Sequence, residues 1–164
     1  MKNIIKTGLI FIFLFSIVST VKAQKTVNKK EAEIEKLVDS RKFLFIATDV
    51  SPMTGNTRNL TSEYDLKILP DTITAYLPYF GRVTSPGIEL INGEGGIKFT
   101  ATNFAYTVSD GKKGRKNIEI NIKENIDVRK LSMTIFSNGK ANLNIVSNGR
   151  QPISYNGYIT EIKN

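Results

Sequence analysis

Residues 131–145 read LSMTIFSNGKANLNI, and this stretch decides the fold. Apolar and polar residues alternate on both sides of Asn138-Gly139, as in two strands that each bury one face. An Asn-Gly pair accepts the positive φ angles of a tight hairpin turn. A second pair, Asn148-Gly149, follows soon after. The stretch therefore predicts an antiparallel hairpin that continues into a further strand.

The same period of two recurs along most of the chain. Further alternating runs lie at Phe43 to Thr48, Tyr64 to Ile68, Ile73 to Leu77, Ile97 to Ala101, Phe104 to Val108, Ile118 to Ile122 and Ile153 to Ile162. Gly157 interrupts the last run and predicts a bulge or bend. About nine strands at hairpin spacing predict a mainly β fold, a single antiparallel meander over residues 43–164. The alternation fits a sandwich or a barrel, with a lipocalin-like barrel among the alternatives.

One amphipathic helix is expected before the strands, at residues 28–40. Asn28 can cap it, with Glu31 three residues later, and Ile34, Leu37 and Val38 fall near one face. We expect residues 24–42 to form a short leader and this helix, packed against one end of the sheet.

The first 23 residues have the pattern of a cleaved export signal. Lys2 and Lys6 precede the apolar run Leu9 to Val18, and small or apolar residues precede Gln24. The run is shorter than the ~20 residues that span a bilayer. Because the chain contains no cysteine, an acylated lipoprotein is excluded. We therefore expect a periplasmic or secreted protein that has no membrane span after cleavage.

Composition restricts the chemistry. The 164 residues include neither histidine nor cysteine, which removes the commonest general base, the thiolate nucleophile and the usual zinc ligands. Paired carboxylates or a Ser-Lys dyad remain as unfavoured alternatives, the acidic candidates being Asp49, Asp65, Glu89, Glu94 and Glu119. The sequence thus predicts a protein that is not an enzyme and carries no metal or cofactor.

The distribution of basic residues argues against nucleic acid as a partner. The chain carries +8, and cleavage of the signal would remove Lys2, Lys6 and Lys22. The remaining cations are dispersed, apart from a cluster at Lys112 to Lys116 that resembles a hairpin tip. No stripe of interleaved basic and aromatic residues is present. A mildly basic surface is therefore the expectation.

One segment departs from the alternating pattern, namely Leu77-Pro-Tyr-Phe-Gly-Arg82. Proline cannot donate to a strand ladder, and adjacent aromatic residues next to glycine suggest a strand edge that wraps over an opening. Arg82 is the charge embedded in this setting, where it either meets an anionic ligand or forms an internal ion pair with an acid such as Asp49 or Glu89.

Three motifs resemble a family of small exported proteins of Gram-negative bacteria that is catalogued as a domain of unknown function. They are Leu77 to Arg82, Gly95-Gly-Ile-Lys-Phe99, and Arg150 with Ile153-Ser-Tyr-Asn-Gly157. The resemblance covers the whole mature chain and implies export and a single β-rich domain. It implies no activity. Val83 and Thr84 depart from the family's tendency to small and aromatic residues after the arginine.

Two function classes follow. The first is a non-catalytic binding module whose barrel or cleft takes a small amphipathic ligand, and it predicts an interior cavity of a few hundred Å³. The residues expected at its entrance are Tyr76, Tyr79, Phe80, Arg82 and Tyr106. The second is a cell-envelope interaction module that docks another protein through a sheet edge or the surface from Leu77 to Pro86.

Overall fold

Nine antiparallel strands form one sheet that curls into a nearly closed barrel, in a computed structural model that describes residues 29–85, 96–124 and 127–162. The strands are β1 (Phe43–Pro52), β2 (Arg58–Ile68), β3 (Ile73–Pro78), β4 (Gly96–Ala101), β5 (Phe104–Asp110), β6 (Lys116–Ile122), β7 (Val128–Ile135), β8 (Lys140–Ser147) and β9 (Ile153–Thr160). A helix, α1, spans 29–40. The predicted mainly β meander with one helix near its start is confirmed.

The order of the strands explains why the sheet nearly closes. It runs β4-β3-β2-β1-β9-β8-β7-β6-β5, so two consecutive strands, β4 and β5, occupy opposite edges. Only Thr102 and Asn103 separate them. The chain therefore leaves one edge of the sheet beside β3 and continues at the other edge beside β6, which brings the two edges together.

Glu124 holds the bend between β4 and β5. Its Oε1 accepts hydrogen bonds from the backbone N–H of Thr102 at 2.7 Å, the Thr102 hydroxyl at 2.9 Å and the N–H of Asn103 at 2.8 Å. The N–H of Lys123 also donates to the carbonyl of Asn103 at 2.9 Å. These bonds satisfy donors that neither edge strand can pair and tie the end of β6 to the bend.

Strand β1 contains a bulge at Thr48, in the part of the strand that pairs with both β2 and β9. The register shifts between Ala47 and Asp49 against both β2 and β9. Gly157 of β9 lies opposite Ala47, and a Cβ there would collide with the carbonyl oxygen of Ile46. The glycine therefore permits the close backbone approach that the bulge requires.

The inward face of the barrel is packed with aliphatic and aromatic side chains. The largest fully buried ones are Tyr155, Phe43, Phe45, Leu66, Ile68, Ile73, Leu77, Ile118, Ile120, Leu131, Ile135 and Leu143. Burial alternates along most of the strands, as in the repeated buried and half-buried positions of β8, but not along β5. The period of two seen in the sequence is thus the alternation between core and outer face.

Helix α1 covers one end of the barrel. Ile34 and Val38 belong to the core cluster, and Ile34 also contacts Gly139 at the β7–β8 hairpin. Glu35 forms an ion pair with Lys116 of β6 at 2.8 Å. The proposed cap Asn28 and the export signal at 1–23 lie outside the described residues. Within the described part of the chain, no helix has the length and apolarity needed to cross a membrane.

Replacing Glu124 tests the bend. The hydrogen bonds from Thr102 and Asn103 lower the pKa of this carboxyl. Since its pKa is lower in the folded state, its contribution to stability is present above the pKa of the unfolded chain and is lost as the pH falls through the folded value. We expect Glu124→Gln to lower Tm by a few degrees at neutral pH and by less in acid.

Thermal unfolding of the wild-type protein and of Glu124→Gln, at neutral and at acidic pH, measures this difference in Tm. Glu161→Gln is the control, because Glu161 is an exposed carboxylate that follows β9. A Glu124→Gln effect equal to that of the control, or independent of pH, would contradict the role of Glu124.

Candidate functional site

The end of the barrel opposite α1 is crossed by residues 77–85, which we call the strap. Beyond β3 the strap pairs with the connection between β8 and β9. Val83 forms a β-bridge with Arg150. The N–H of Thr84 donates to the carbonyl of Gly149 at 2.8 Å, and the N–H of Gln151 donates to the carbonyl of Arg82 at 3.0 Å. The unusual proline, aromatic and glycine string is therefore a cross-connection between distant parts of the sheet.

Tyr79 points inward and fastens the strap. Its hydroxyl lies 2.8 Å from the carbonyl oxygen of Arg82 and 3.0 Å from that of Gln151, so the two carbonyl groups share its single proton. A Cβ on Gly81 would collide with the Tyr79 ring, so glycine leaves the room that the ring occupies. Burial raises the pKa of Tyr79, so its hydroxyl stays a donor at neutral pH.

Tyr155 of β9 is hydrogen-bonded to the strap from the core of the barrel. Its side chain is fully buried, and its hydroxyl donates to the carbonyl of Pro78 at 2.7 Å. Burial raises the pKa of Tyr155 far above its ordinary value. Two tyrosine hydroxyls thus satisfy carbonyl groups at the point where Pro78 ends the β3 ladder.

Arg150 is the buried charge of this end. It is 5% exposed, and its Nε lies 2.9 Å from Oδ2 of Asp127 in an ion pair whose N–H is not aligned for a hydrogen bond. Its Nη1 donates to the carbonyl of Gly96 at 3.0 Å, and its guanidinium lies 5.1 Å from the centre of the Tyr79 ring. Arg150 therefore joins the strap, β4 and the segment before β7.

The outer side of the strap borders an open groove of about 300 Å³, which we call the aromatic groove. Its lining comprises Tyr64, Tyr76, Leu77, Pro78, Tyr79, Phe80, Gly96 and Lys98. Tyr76 is 45% exposed and Phe80 is 41% exposed, both high values for large aromatic side chains. The groove combines exposed rings with a rigid wall of strap and strand.

Two cations lie over the exposed rings. The Lys98 Nζ is 5.6 Å from the centre of the Tyr76 ring, and the Arg58 guanidinium is 4.8 Å from that of Phe80. Tyr64 stacks on Tyr76 with centroids 5.6 Å apart. These cation–π and stacking contacts hold the rings and the charges in fixed relation.

The structure brings together three of the five residues expected at an entrance. Tyr76, Tyr79 and Phe80 line the aromatic groove, whereas Arg82 is exposed on the strap and is not part of the lining. Tyr106 lies in β5, outside the groove, with the Arg41 guanidinium 4.7 Å from its ring centre. Burial raises the pKa of Tyr106 to about 12, and its hydroxyl has no hydrogen-bond partner among the described residues.

Sequence reasoning missed Arg58, Tyr64 and Lys98. The alternating pattern placed Tyr64 and Lys98 in strands, but it carried no information about which strands pair. The register sets Lys98 opposite Tyr76 and Tyr76 opposite Asp65. No local signal identifies Arg58 as the cation above Phe80.

A second and larger cavity lies beside α1. It measures about 650 Å³ and is bordered by the helix, the β7–β8 hairpin and the bulged part of β1 and β9. Its polar wall is internally bonded, since Asn156 Nδ2 donates to Asp49 Oδ1 at 2.6 Å and the Thr48 hydroxyl donates to Asp49 Oδ2 at 3.0 Å. On the β1 wall of this cleft, both carboxylate oxygens of Asp49 therefore already accept hydrogen bonds from neighbouring side chains.

Three of the five acidic residues considered as catalytic candidates, Asp49, Asp65 and Glu119, lie among the described residues. Asp49 is bonded to Asn156, and Glu119 forms an ion pair with Lys130 at 2.9 Å. Glu89 and Glu94 lie outside the described residues. The described part of the chain also contains no group of three or more Asp and Glu side chains close enough to hold a metal ion.

Comparison with known proteins supplies a family and a fold. A family model described as "Domain of unknown function (DUF4251)" matches residues 25–159. The crystal structure of a DUF4251 family protein from Bacteroides eggerthii is similar, with a TM-score of 0.60 and 17% sequence identity over 80% of this chain and 87% of that one. At this identity the similarity shows a shared fold. No curated protein matches the sequence.

Separate replacements of Arg150 and Arg82 show which of the two charges the fold requires and which lies on the surface without a structural role. Arg150→Met leaves the Asp127 carboxylate without its buried partner, so we expect the free energy of unfolding to fall by about 3 kcal/mol. Arg82→Met removes an exposed side chain and should change it by less than about 0.5 kcal/mol. Urea unfolding of both variants gives the two values.

A double variant, Arg150→Met with Asp127→Asn, controls for the unpaired charge and should recover part of the loss. Equal destabilisation by the Arg82 and Arg150 replacements would contradict the assignment of Arg150 as the charge that the fold requires.

Proposed function

The chain belongs to the DUF4251 family, a domain of unknown function, and we propose that it is a non-catalytic binding module for a small amphipathic ligand. The ligand's apolar part lies in the aromatic groove. Tyr76 and Phe80 form the contact surface, and Tyr79 with Pro78 forms the wall behind them.

The observation that carries this proposal is the exposure of two aromatic rings on a fixed wall. Large rings left in water favour contact with an apolar surface, and a groove that is already formed spares the ligand the cost of ordering the protein. At about 300 Å³ the groove lies at the small end of ligand sites. A short alkyl chain or a single ring system fits this size.

The packed inward face of the barrel argues against the interior cavity that the sequence predicted for such a module, so we place the site on the outside. Phe45, Leu66 and Tyr155 are all fully buried within one continuous core cluster. A ligand inside the barrel would have to displace such side chains from close packing, which costs free energy. Binding in the aromatic groove requires no such displacement of core side chains.

A role in binding rather than catalysis agrees with the chemistry of the groove. Within the part of the chain that the structure describes, its lining is aromatic and aliphatic apart from Lys98 and includes no carboxylate. Export by the N-terminal signal would place the groove in the periplasm or outside the cell, where it would meet envelope lipids, glycans and secreted metabolites.

A second candidate function is docking of an envelope protein. The observation that favours it is the cluster of exposed apolar residues near the strap end, since Tyr76 and Phe80 have the exposure typical of interface residues. The edge strand β5, where Thr107 to Asp110 are exposed, offers a further surface.

Native mass spectrometry of the protein isolated gently from its own envelope tests the proposal. We expect a mass excess that disappears on denaturation. We expect Phe80→Ala and Tyr76→Ala to reduce the bound fraction about tenfold, because each removes a large part of the apolar contact. A bound protein partner instead of a small mass would favour docking.

Tyr158→Ala is the matched control. Tyr158 is also 45% exposed but lies on β9, outside the aromatic groove. A bare monomer, or a mass excess that all three variants reduce equally, would contradict a ligand site at the groove.

A further inference from the structure

Two basic side chains border the aromatic groove and are already held in place. Lys98 lines the groove and lies over Tyr76, whereas Arg58 lies over Phe80. A ring beneath a cation restricts the cation's rotamers, so less conformational entropy is lost when the cation binds an anion. Both cations are thereby arranged beside the same opening.

Neither cation has a carboxylate within ion-pair distance among the described residues. The ion pairs of that part of the chain involve Lys116, Lys130 and Arg150 instead. Arg150 illustrates the contrast, because it forms an ion pair with Asp127 and its Nη1 donates to the Gly96 carbonyl. Both side chains at the groove, Arg58 and Lys98, are exposed. Lys98 belongs to the groove lining, whereas Arg58 is not part of it and lies over the lining residue Phe80.

The acidic residues nearest to the groove along β2 form no ion pair with these cations. Asp65 pairs in register with Tyr76, and the charges that act on it most strongly are Lys67 and Glu63. Asp65 and Glu63 are not part of the groove lining. Among the described residues, the lining contributes Lys98 and no acid, so these side chains give the opening a positive charge.

We propose that the ligand of the aromatic groove is an anionic amphiphile, whose carboxylate, sulfate or phosphate group is bound by Arg58 and Lys98. This inference rests on the proposed binding function and adds the charge of the ligand and the two residues that recognise it. Arginine and lysine donate charge-assisted hydrogen bonds to such oxygens, and arginine can do so with two parallel bonds. The anion-binding role that the sequence suggested for Arg82 thus belongs to Arg58 and Lys98.

The test compares probes that share one tail and differ in their head group. Octyl sulfate, octyl glucoside and octyltrimethylammonium are titrated below their micelle concentrations at low salt, and Kd is measured from NMR shifts of groove residues. We expect octyl sulfate to bind about tenfold more tightly than octyl glucoside and the cationic probe to bind most weakly. Added salt should reduce the preference.

Variants assign the preference to residues. Arg58→Gln and Lys98→Gln should each weaken octyl sulfate binding about threefold to tenfold and leave octyl glucoside binding nearly unchanged. Phe80→Ala should weaken both probes. The controls are Arg82→Gln, from the exposed strap, and Arg129→Gln, an exposed cation on β7.

The outcomes separate this inference from the proposed function. Equal affinity for the sulfate and glucoside probes would overturn the charge preference and leave the apolar groove standing. Equal weakening by Arg129→Gln and Arg58→Gln would also overturn it, because net charge alone would then explain the preference. Absence of binding by all three probes would contradict the proposed function itself.

Discussion

The buried ion pair between Arg150 and Asp127 is the interaction on which the end of the barrel depends. A guanidinium removed from water is tolerated only when its charge and donors are paired, and here a carboxylate, the Gly96 carbonyl and the Tyr79 ring surround it. Gly96 and Tyr79 are also two of the residues that line the aromatic groove. The same contacts that close the barrel therefore set the position of the groove wall.

The strap has two sides with different roles. Tyr79 turns inward, where two carbonyl groups share its hydroxyl proton, and Gly81 leaves space for its ring. Phe80, the next residue, turns outward and is left 41% exposed beneath Arg58. One short motif thus supplies both the fastening and the exposed ring, which explains why two aromatic residues stand side by side where the strand pattern breaks.

Closure of the sheet leaves little room for a ligand among the packed side chains. The two-residue bend between β4 and β5 brings the sheet edges together, α1 covers one end and the strap crosses the other. A barrel of this size can be filled by side chains alone. Recognition is then a task for the outer surface, where the rings of Tyr76 and Phe80 remain in contact with water.

Local signals in the sequence, namely alternation, Asn-Gly pairs and helical spacing, predict the strands, the helix and most of the turns. They do not show that β4 and β5, which follow each other in the chain, lie at opposite edges of the sheet instead of pairing. The sequence also singled out Tyr76, Tyr79 and Phe80. Only the tertiary structure decided that the meander curls into a nearly closed barrel, that Arg150 rather than Arg82 is buried, and that Arg58 and Lys98 flank the rings. The reason is physical: these contacts join residues far apart in the chain, and strand register and sheet curvature, which no local pattern encodes, bring them together.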